Sequence, residues 1–355
     1  MNNLQEAKAN QAHVEQVPFG TVQHNLSDIL PMSSEIGHLW SSYLAESMAV
    51  AMLKYYVAQS KDPDIRPILQ RSLDVSSQRV KSMKDIFNSI QHPIPEGFGE
   101  NDVDSNAKQL FEETYTLKLT RMMNKYVLLD YGIALCRSSR SDFRSYFSEG
   151  LDTSREIHQK ATDVLLAKGL LLKYPSIVNP DRIDRVHDKG YFGTIFGTRR
   201  PINAMEISNI ISLMEVQLLL RTSKIGFSQV VKSEKIRHFL SQGKQIADHH
   251  LKTLGEFLEN EELPIPSISS NLITDSKQSP FSDKLILTHS TISIAFKIAE
   301  YGLVLTNTAR KDLQFTFRNL VTDVLKLAKD GAELMIESGW LERAPEASDR
   351  KELIH

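Results

Sequence analysis

An internal repeat constrains the fold of this chain more than any other feature of its sequence. Residues 61–69, Lys-Asp-Pro-Asp-Ile-Arg-Pro-Ile-Leu, match residues 232–240, with Lys, Ile, Arg and Leu in the same places. Further matches follow in the same order: Pro-Ile-Pro at 93–95 and 264–266, then Asp-Tyr-Gly at 130–132 and Glu-Tyr-Gly at 300–302. The offset is 171 residues up to the Pro-Ile-Pro motif and 170 residues after it. A register held over so long a stretch indicates a tandem duplication.

Each copy carries the pattern of four long helices. Apolar residues recur at steps of three and four, which is typical of helices that bury one face. The pattern predicts helices at 34–59, 63–90, 105–138 and 141–169, and again at 204–231, 234–260, 280–308 and 311–338. Four helices of this length with mostly short connections form a bundle. The longer loops after Pro95 and Pro266 fit the crossover of a ferritin-like bundle. The predicted fold is therefore all-α, with two tandem ferritin-like four-helix bundles.

The repeat also predicts the domain organisation, which runs as follows: a polar N-terminal tail at 1–25, a first bundle at 26–173, a linker at 174–202, a second bundle at 203–345 and a C-terminal tail at 346–355. Several Gly and Pro residues exclude a continuous helix in the linker. Its apolar residues, Tyr191, Phe192, Ile195 and Phe196, predict that it packs between the bundles. For the Arg199-Arg200 pair, neighbouring carboxylates are the expected partners, and an anionic ligand is the alternative.

Composition narrows the function classes. Of 355 residues, 41% are hydrophobic and 24% are charged, as in a soluble globular protein. The net charge of −2 argues against a nucleic-acid binder. No apolar run is long enough to insert in a membrane, and no targeting signal precedes the repeat, so a cytoplasmic protein is expected. The single cysteine, Cys136, lies in an apolar stretch and is expected to be a buried packing residue. Seven methionines at apolar helical positions are expected in the core: Met48, Met52, Met83, Met122, Met123, Met214 and Met335.

A ferritin-like bundle raises the possibility of a di-metal centre. Such a centre needs a Glu from each of two helices and a Glu-x-x-His pair from each of the other two. The sequence has one such pair, Glu35 and His38, in the first turn of its helix rather than mid-bundle. Asp130 and Glu300 are an acidic pair shared by the copies, and each is expected to bond a nearby Arg or Tyr. The ligand set is incomplete, so no catalytic or cofactor-binding residues are assigned and an apolar interior is expected.

The second copy nevertheless carries weak candidates for a single metal ion. They are Glu215, Asp248, His249, His250 and Glu300. Imidazole and carboxylate ligands suit both Zn²⁺ and Fe²⁺, so an adventitious ion is the hypothesis that these residues support. The alternative is that each histidine is solvated or hydrogen-bonded, which is the commoner role of a lone histidine on a helix.

The second copy also contains strings that resemble a known family. They are Lys-Ile-Arg-His-Phe-Leu at 235–240, Leu-Pro-Ile-Pro at 263–266, Ser-Pro-Phe-Ser-Asp-Lys-Leu at 279–285, Glu-Tyr-Gly-Leu at 300–303 and Gly-Trp-Leu-Glu at 339–342. The chain resembles a family of unknown function from endospore-forming bacteria that has two tandem ferritin-like bundles and is similar to spore coat protein F. The resemblance implies a fold and a link to sporulation, and it supplies no catalytic residues. Gly302 is expected to let two helices approach, and Trp340 to close one bundle end.

Two function classes follow. The first is a non-catalytic structural or interaction protein that self-associates or binds protein partners, in the cytoplasm or associated with the spore. The second is a ferritin-like metal-binding protein or oxidoreductase that uses one bundle. Binding of an apolar ligand between the bundles is a third option, which a large apolar pocket near Phe192 and Phe196 would favour.

Overall fold

The computed structural model describes residues 13–17, 20–197, 199–267 and 272–350. It has eight long helices: α1 (Ser33–Gln59), α2 (Arg66–Ser89), α3 (Glu113–Cys136), α4 (Ser141–Ala167), α5 (Ala204–Val230), α6 (Glu234–Glu259), α7 (Asp283–Thr306) and α8 (Lys311–Glu337). Helices α1–α4 form the first half and α5–α8 the second. The predicted fold class, all-α with two tandem four-helix bundles, is confirmed.

Two features depart from the predicted elements. An antiparallel hairpin, β1 (His13–Val17) and β2 (Gly20–His24), lies where only a polar tail was expected. The third and seventh helices begin at Glu113 and Asp283, later than the predicted starts at 105 and 280. The residues before these helices are extended because they pair with the other half of the molecule, and a local helical pattern carries no sign of that pairing.

Buried glutamates fix the starts of α1 and α5. Glu35 accepts hydrogen bonds from the backbone N–H groups of Ser139 and Arg140, at 2.8 and 2.9 Å. Glu206, at the equivalent position of the second half, accepts the N–H of Arg310 at 2.9 Å. Each carboxylate thereby satisfies N–H groups that the helix ends leave free. This acidic pair, shared by both copies, was missed by the sequence analysis.

One hydrophobic core runs through both halves. Buried residues of all eight helices form a continuous cluster, and a smaller cluster lies at one end of the first half. Of the seven methionines predicted for the core, Met48, Met52, Met83, Met122, Met214 and Met335 are buried, and Met123 is partly buried against it. Trp340 packs against this core. Cys136 is exposed, so its predicted role as a buried residue is wrong, because it faces away from the core in the last turn of α3.

The loops before α3 and α7 join the halves about a pseudo-two-fold axis. Val103 forms a β-bridge with Phe281, and Phe111 forms one with Ile273. Val103 and Ile273 occupy equivalent positions in the two copies, as do Phe111 and Phe281. The backbone hydrogen bonds repeat this exchange: Asp104 N–H to Pro280 O at 2.8 Å and Thr274 N–H to Leu110 O at 3.0 Å, Glu112 N–H to Leu272 O and Ser282 N–H to Asp102 O at 3.0 Å each. The two copies therefore meet as the subunits of a symmetric dimer do.

An aromatic stack marks the same axis. Tyr126 and Phe296 occupy equivalent positions in α3 and α7, and their rings stack with centroids 4.3 Å apart and planes at 4°. Two residues related by a two-fold axis can stack on each other only where that axis passes between them. The interface between the halves therefore consists of packed aromatic side chains and paired loops.

The linker lies mostly in solvent, contrary to the prediction that it packs between the bundles. Residues 176–190 are exposed, Phe196 is 84% exposed, and Phe192 and Ile195 are exposed as well. The reason is that the interface between the halves is already filled. The end of the linker is anchored by ion pairs: Arg200 pairs with Glu206 at 2.7 Å and Arg199 with Asp312 at 3.3 Å. The expectation that the two arginines meet carboxylates is thus confirmed.

Helix α7 contains the glycine that was expected to bring two helices together. A Cβ atom added at Gly302 would meet nothing within 4 Å, so that expectation is wrong. Close approach occurs instead at Gly150 of α4, where an added Cβ would lie 2.3 Å from the ring of Tyr131. None of the helices in the described part of the chain is both long and apolar enough to cross a membrane.

Candidate functional site

Each half has a buried polar centre, so the prediction of a purely apolar interior is wrong. Polar side chains from all four helices of a half occupy the same positions in both copies. In the first half they are Glu46, Arg79, Tyr131 and Thr153; in the second they are Gln217, His250, Tyr301 and Asp323. Buried polar groups persist in a core when they bond one another. We call these sets the first and the second polar centre.

The first polar centre is organised by a buried ion pair. Arg79 Nη1 donates to Glu46 Oε1 at 2.7 Å, and both side chains are buried. Arg79 Nη2 donates to Gly150 O at 2.8 Å and to Ser154 Oγ at 2.6 Å. The hydroxyl of Tyr131 donates to Glu46 Oε1 at 3.2 Å. Burial lowers the pKa of Arg79, but the Glu46 carboxylate and the tyrosines more than offset this and leave the pKa raised. The guanidinium is therefore a permanent cation at the centre of the bundle, with its counter-ion beside it.

The second polar centre keeps the arrangement of the first but has no counterpart of the Glu46 carboxylate. Gln217 replaces Glu46, and its Nε2 lies 3.0 Å from His250 Nδ1. The Tyr301 hydroxyl lies 2.8 Å from the same nitrogen, and Lys297 Nζ donates to Gln217 Oε1 at 3.3 Å. Since an amide nitrogen only donates, Nδ1 accepts and the ring proton lies on Nε2. That nitrogen has no hydrogen-bond partner among the described residues, and Asp323 lies 3.7 Å away.

Three further basic residues make the interior of the second half unlike that of the first. Lys224, Lys297 and His289 stand where the first copy has Leu53, Val127 and Leu119. The two lysines are each 1% exposed, and His289 is buried with neither ring nitrogen bonded to a described residue. We call Lys224, Lys297, His250 and His289 the basic cluster.

Burial disfavours the charged forms of the basic cluster. It lowers the pKa of Lys224 to about 8 and that of Lys297 well below the usual lysine value. Burial also lowers the pKa of His250 and of His289 to about 3 each. The charge of Lys224 adds to this effect at Lys297 and His289. Unlike the first centre, this cluster has no buried carboxylate bonded to it among the described residues.

A cavity of about 100 Å³ lies beside the basic cluster. It is inside the first half, and its wall is mainly apolar, with Met48, Met52 and Met123 among the lining residues. Glu46 and Arg79 of the first polar centre line it too, as do His289 and Phe296 of α7. His289 therefore belongs both to this cavity and to the basic cluster. The exposed Phe192 and Phe196 do not line it.

The structure does not bring the five metal-ligand candidates together. Glu215 pairs with Arg121 of the first half at 2.9 Å, and Glu300 pairs with Lys125 at 2.8 Å. Asp248 is held by Arg221 and Lys244. His249 neighbours His250, and their ring centroids are 5.9 Å apart. No group of three His, Cys, Asp or Glu side chains within the described ranges is placed to hold a metal ion.

The other two sequence-based candidates have local partners. Glu35 bonds the turn before α4, and His38 lies 3.5 Å from Asp130. Asp130 and Glu300, the acidic pair shared by the two copies, were each expected to bond an arginine or a tyrosine. Asp130 instead pairs with a histidine, and Glu300 pairs with a lysine.

Of the basic cluster the sequence analysis named His250 alone, as a metal-ligand candidate, and missed Lys224, Lys297 and His289. Their signal was present, because the repeat register aligns Lys224, Lys297 and His289 with aliphatic residues.

The architecture and the two centres define a class: an all-helical protein of two four-helix bundles, fused by duplication and joined through one core. A family model described as "Protein of unknown function (DUF3231)" matches residues 28–183 and again 191–353. The chain therefore belongs to this family, with one family unit in each half. The two matches coincide with the duplication.

Comparison with other known proteins adds little. A crystal structure of a provisionally assigned spore coat protein from Bacillus halodurans is similar over 42% of this chain and 98% of its own length, at 15% identity and a TM-score of 0.40. No curated protein matches the chain.

Proposed function

We propose that the protein is a non-catalytic structural or interaction protein. The observation that carries this proposal is that the protein's own basic side chains occupy the centres of both halves. Arg79 lies between the helices of the first half, and Lys297 and His250 lie between those of the second. A di-metal bundle needs carboxylates from facing helices at this level. In the first polar centre the buried carboxylate of Glu46 is already bonded to Arg79, and a metal ion would face a guanidinium.

The outer surface supports an interaction role. Exposed apolar side chains recur at equivalent positions of the two halves, with Ile133 and Leu303 near the ends of α3 and α7, and Leu166 and Ile336 near the ends of α4 and α8. Exposed apolar residues are common singly, but repeated positions give the molecule two similar surfaces. We propose that these surfaces serve self-association or a protein partner rather than a nucleic acid.

A place in the spore is the finer part of the proposal. It rests on the resemblance of the strings at 279–285 and 339–342 to a family of endospore-forming bacteria. Synthesis in the cytoplasm followed by association with the spore is the location we propose. A fluorescent fusion followed through sporulation in an endospore-forming host tests it, and signal that stays uniform in the mother cell would contradict it.

Metal analysis of the untagged protein tests the non-catalytic role most directly. Cells are grown with added iron and zinc, and the purified protein is analysed by elemental mass spectrometry and by oxygen consumption. We expect far less than one ion per chain and no oxidase activity. One tightly held ion per half, together with oxygen consumption, would instead support a ferritin-like oxidoreductase.

A variant distinguishes a specific ion from an adventitious one. In His249→Ala an exposed imidazole outside both polar centres is removed. If a substoichiometric ion is found and this variant loses it, the ion was bound at the surface and the proposal stands. Light scattering of the same samples gives the oligomeric state, which reports on self-association.

A further inference from the structure

The cavity in the first half has polar groups on its otherwise apolar wall. Tyr56 of α1, Arg79 of α2 and His289 of α7 all line it, and their side chains are at most 7% exposed. The hydroxyl of Tyr56, Nε of Arg79 and both ring nitrogens of His289 have no hydrogen-bond partner among the described residues. Buried polar atoms without a partner are rare, because the water that they lose is not replaced. Three helices thus bring unsatisfied polar groups to the wall of one cavity.

The polar groups of this wall are not repeated in the second copy. Phe227 stands in place of Tyr56, so the hydroxyl is absent there. The counterpart of His289 in the first copy is Leu119, which has no polar atom in its side chain. Two of the three unsatisfied groups are therefore present only where the cavity is.

The region of the second half that corresponds to the cavity contains a lysine stem. Lys224 stands where the cavity wall has Leu53. Its side chain extends over Gly243, since a Cβ atom added to that glycine would meet Lys224 Cε. Ser72, the first-half equivalent of Gly243, lines the cavity. The same region is thus occupied by the protein's own side chain in one half and left open in the other.

We propose that the cavity of the first half binds a small neutral molecule with one hydroxyl group on a short apolar body, as in a short-chain alcohol. A hydroxyl donates one hydrogen bond and accepts up to two. It therefore serves a donor such as Arg79 Nε and an acceptor such as a ring nitrogen of His289 at once. The apolar body lies against the rest of the wall.

The charges on the wall favour a neutral ligand. The guanidinium of Arg79 already has its counter-ion, Glu46, at 2.7 Å. Burial raises the pKa of Tyr56 well above its usual value. Burial, together with the charge of Lys224, lowers the pKa of His289 to about 3, so the phenol and the imidazole are both neutral at pH 7. A charged ligand would be buried without a counter-ion, which costs far more than the burial of a hydroxyl.

The volume of the cavity limits the size of the ligand. The cavity measures about 100 Å³, and Met48, Met52 and Met123 line it. Since an apolar cavity of about 150 Å³ binds benzene, a ligand of about four to six non-hydrogen atoms suits this one. Methionine side chains adjust to irregular shapes, so the wall accepts an unbranched chain. The alcohol 1-butanol meets these conditions and is the probe that we choose.

Titration of the intact chain with 1-butanol, followed by ligand-observed NMR, tests the proposal. The reference ligand is 1-fluorobutane, which has the same number of non-hydrogen atoms but no hydroxyl. We expect saturable binding of 1-butanol that is roughly tenfold tighter than that of 1-fluorobutane, because only the alcohol satisfies the buried polar groups. Absence of saturable 1-butanol binding, or equal or tighter binding of 1-fluorobutane, would overturn the proposal.

Two substitutions taken from the other copy test the polar groups. Tyr56→Phe and His289→Leu introduce the residues found at the equivalent positions, Phe227 and Leu119. Each is expected to weaken 1-butanol binding roughly tenfold, because one hydrogen-bonding partner is removed. Binding of 1-fluorobutane should persist in both variants, which shows that they are folded and that the cavity remains. Unchanged 1-butanol binding in both variants would contradict the site.

Filling the cavity gives a test that does not depend on the polar groups. Ala49 lines the cavity, and Ala49→Leu introduces the residue that the second copy has there, Leu220. This variant is expected to lose both ligands, with a cooperative melting curve as evidence that it is folded. Ala58→Leu, at an exposed alanine of the same helix, is the matched control and should bind as the parent protein does. Undiminished 1-butanol binding by folded Ala49→Leu would place the alcohol at another site and overturn the proposal.

Discussion

At the scale of single residues, the repeat shows the same buried positions filled in two chemically different ways. The first copy has the ion pair of Glu46 and Arg79, and the second has the neutral pair of Gln217 and His250. A buried ion pair contributes little net stability, but removing one partner leaves an unpaired charge in the core. The side chain that each of these positions can accept therefore depends on the side chain of its partner more than on the burial of the position.

This coupling predicts a large loss from one substitution and its recovery by a second. Glu46→Gln leaves the Arg79 guanidinium without its counter-ion and should lower the free energy of unfolding by about 3–5 kcal/mol. Adding Arg79→His recreates the second-half pair and should recover most of that loss. Urea denaturation of the two single variants and the double variant measures the coupling.

A surface ion pair of the same half is the control for this cycle. Arg71 and Glu156 lie 2.9 Å apart, and both are partly exposed. Glu156→Gln should change the unfolding free energy by less than about 1 kcal/mol, because water screens the pair. Equal effects of Glu46→Gln and Glu156→Gln would show that the first polar centre is open to solvent.

Lys224 gives a pH dependence whose sign follows from its burial. Burial lowers the pKa of this lysine from 10.5 to about 8 in the folded protein. Between these values the unfolded chain binds the proton more strongly, so stability rises with pH; below about pH 8 the full destabilisation remains. The shift corresponds to roughly 3 kcal/mol.

Lys224→Leu should therefore be more stable than the parent protein at pH 7, and the difference should shrink as the pH approaches 10. Urea denaturation of both proteins at pH 7, 8.5 and 10 measures this. Titrating groups remote from Lys224 cancel in the difference, whereas the loss of its charge also relieves the lowered pKa of Lys297 and so adds to the expected gain. A pH-independent difference would mean that the amine is hydrated.

At the scale of helices, the repeat and the apolar periodicity were sufficient to predict most of the fold. The starts of α5, α6 and α8 match the predicted positions, because the register of the copies and capping residues such as Ser233 are local signals. The starts of α3 and α7 were placed too early, since residues 103–112 pair with the other half. Non-local pairing of this kind leaves no periodic trace in the sequence.

The candidate site was less predictable than the helices. Apolar periodicity places a residue on the inner face of a helix, but it does not show whether a lysine there is tolerated. Lys224 and Lys297 follow the same periodicity as the aliphatic residues around them, and a search for metal ligands passes over lysine altogether. The information lay in the comparison of the copies, where Leu53 and Val127 stand at the same positions.

Two helix glycines should respond to alanine in opposite directions. An added Cβ at Gly302 of α7 meets nothing within 4 Å, whereas at Gly150 of α4 it would lie 2.3 Å from the Tyr131 ring. Gly302→Ala should stabilise the protein by about 0.5–1 kcal/mol because alanine favours the helix. Gly150→Ala should destabilise it by about 1–3 kcal/mol through overpacking.

Thermal unfolding of the two alanine variants measures both effects. Gly132→Ala is the matched control, since Gly132 is the first-half equivalent of Gly302 and its added Cβ also meets nothing. It should behave as Gly302→Ala does. Stabilisation by Gly150→Ala would show that Tyr131 can move away from Glu46 without loss, and would argue against a tightly packed first polar centre.

At the scale of the whole molecule, the chain is a duplicated unit folded onto itself. Equivalent residues meet across the pseudo-two-fold axis, as with Tyr126 against Phe296, and equivalent loops exchange backbone hydrogen bonds. Such an isologous contact is what a homodimer of one four-helix unit would make. The linker, exposed over 176–190, therefore has little part in holding the halves together.

It follows that cutting the linker should leave the molecule intact. Brief trypsin treatment is expected to cleave at Arg182 or Arg185, which lie in the exposed stretch. The two fragments should still elute together from a gel-filtration column at the mass of the uncut chain, because the shared core and the paired loops remain.

Tyr126→Ala with Phe296→Ala removes the axial stack, at a loss of about 3–5 kcal/mol for each truncated ring, and should let the cut halves separate. Separation of the parent fragments without denaturant would mean that the covalent linker, and not the interface between the copies, joins the two bundles.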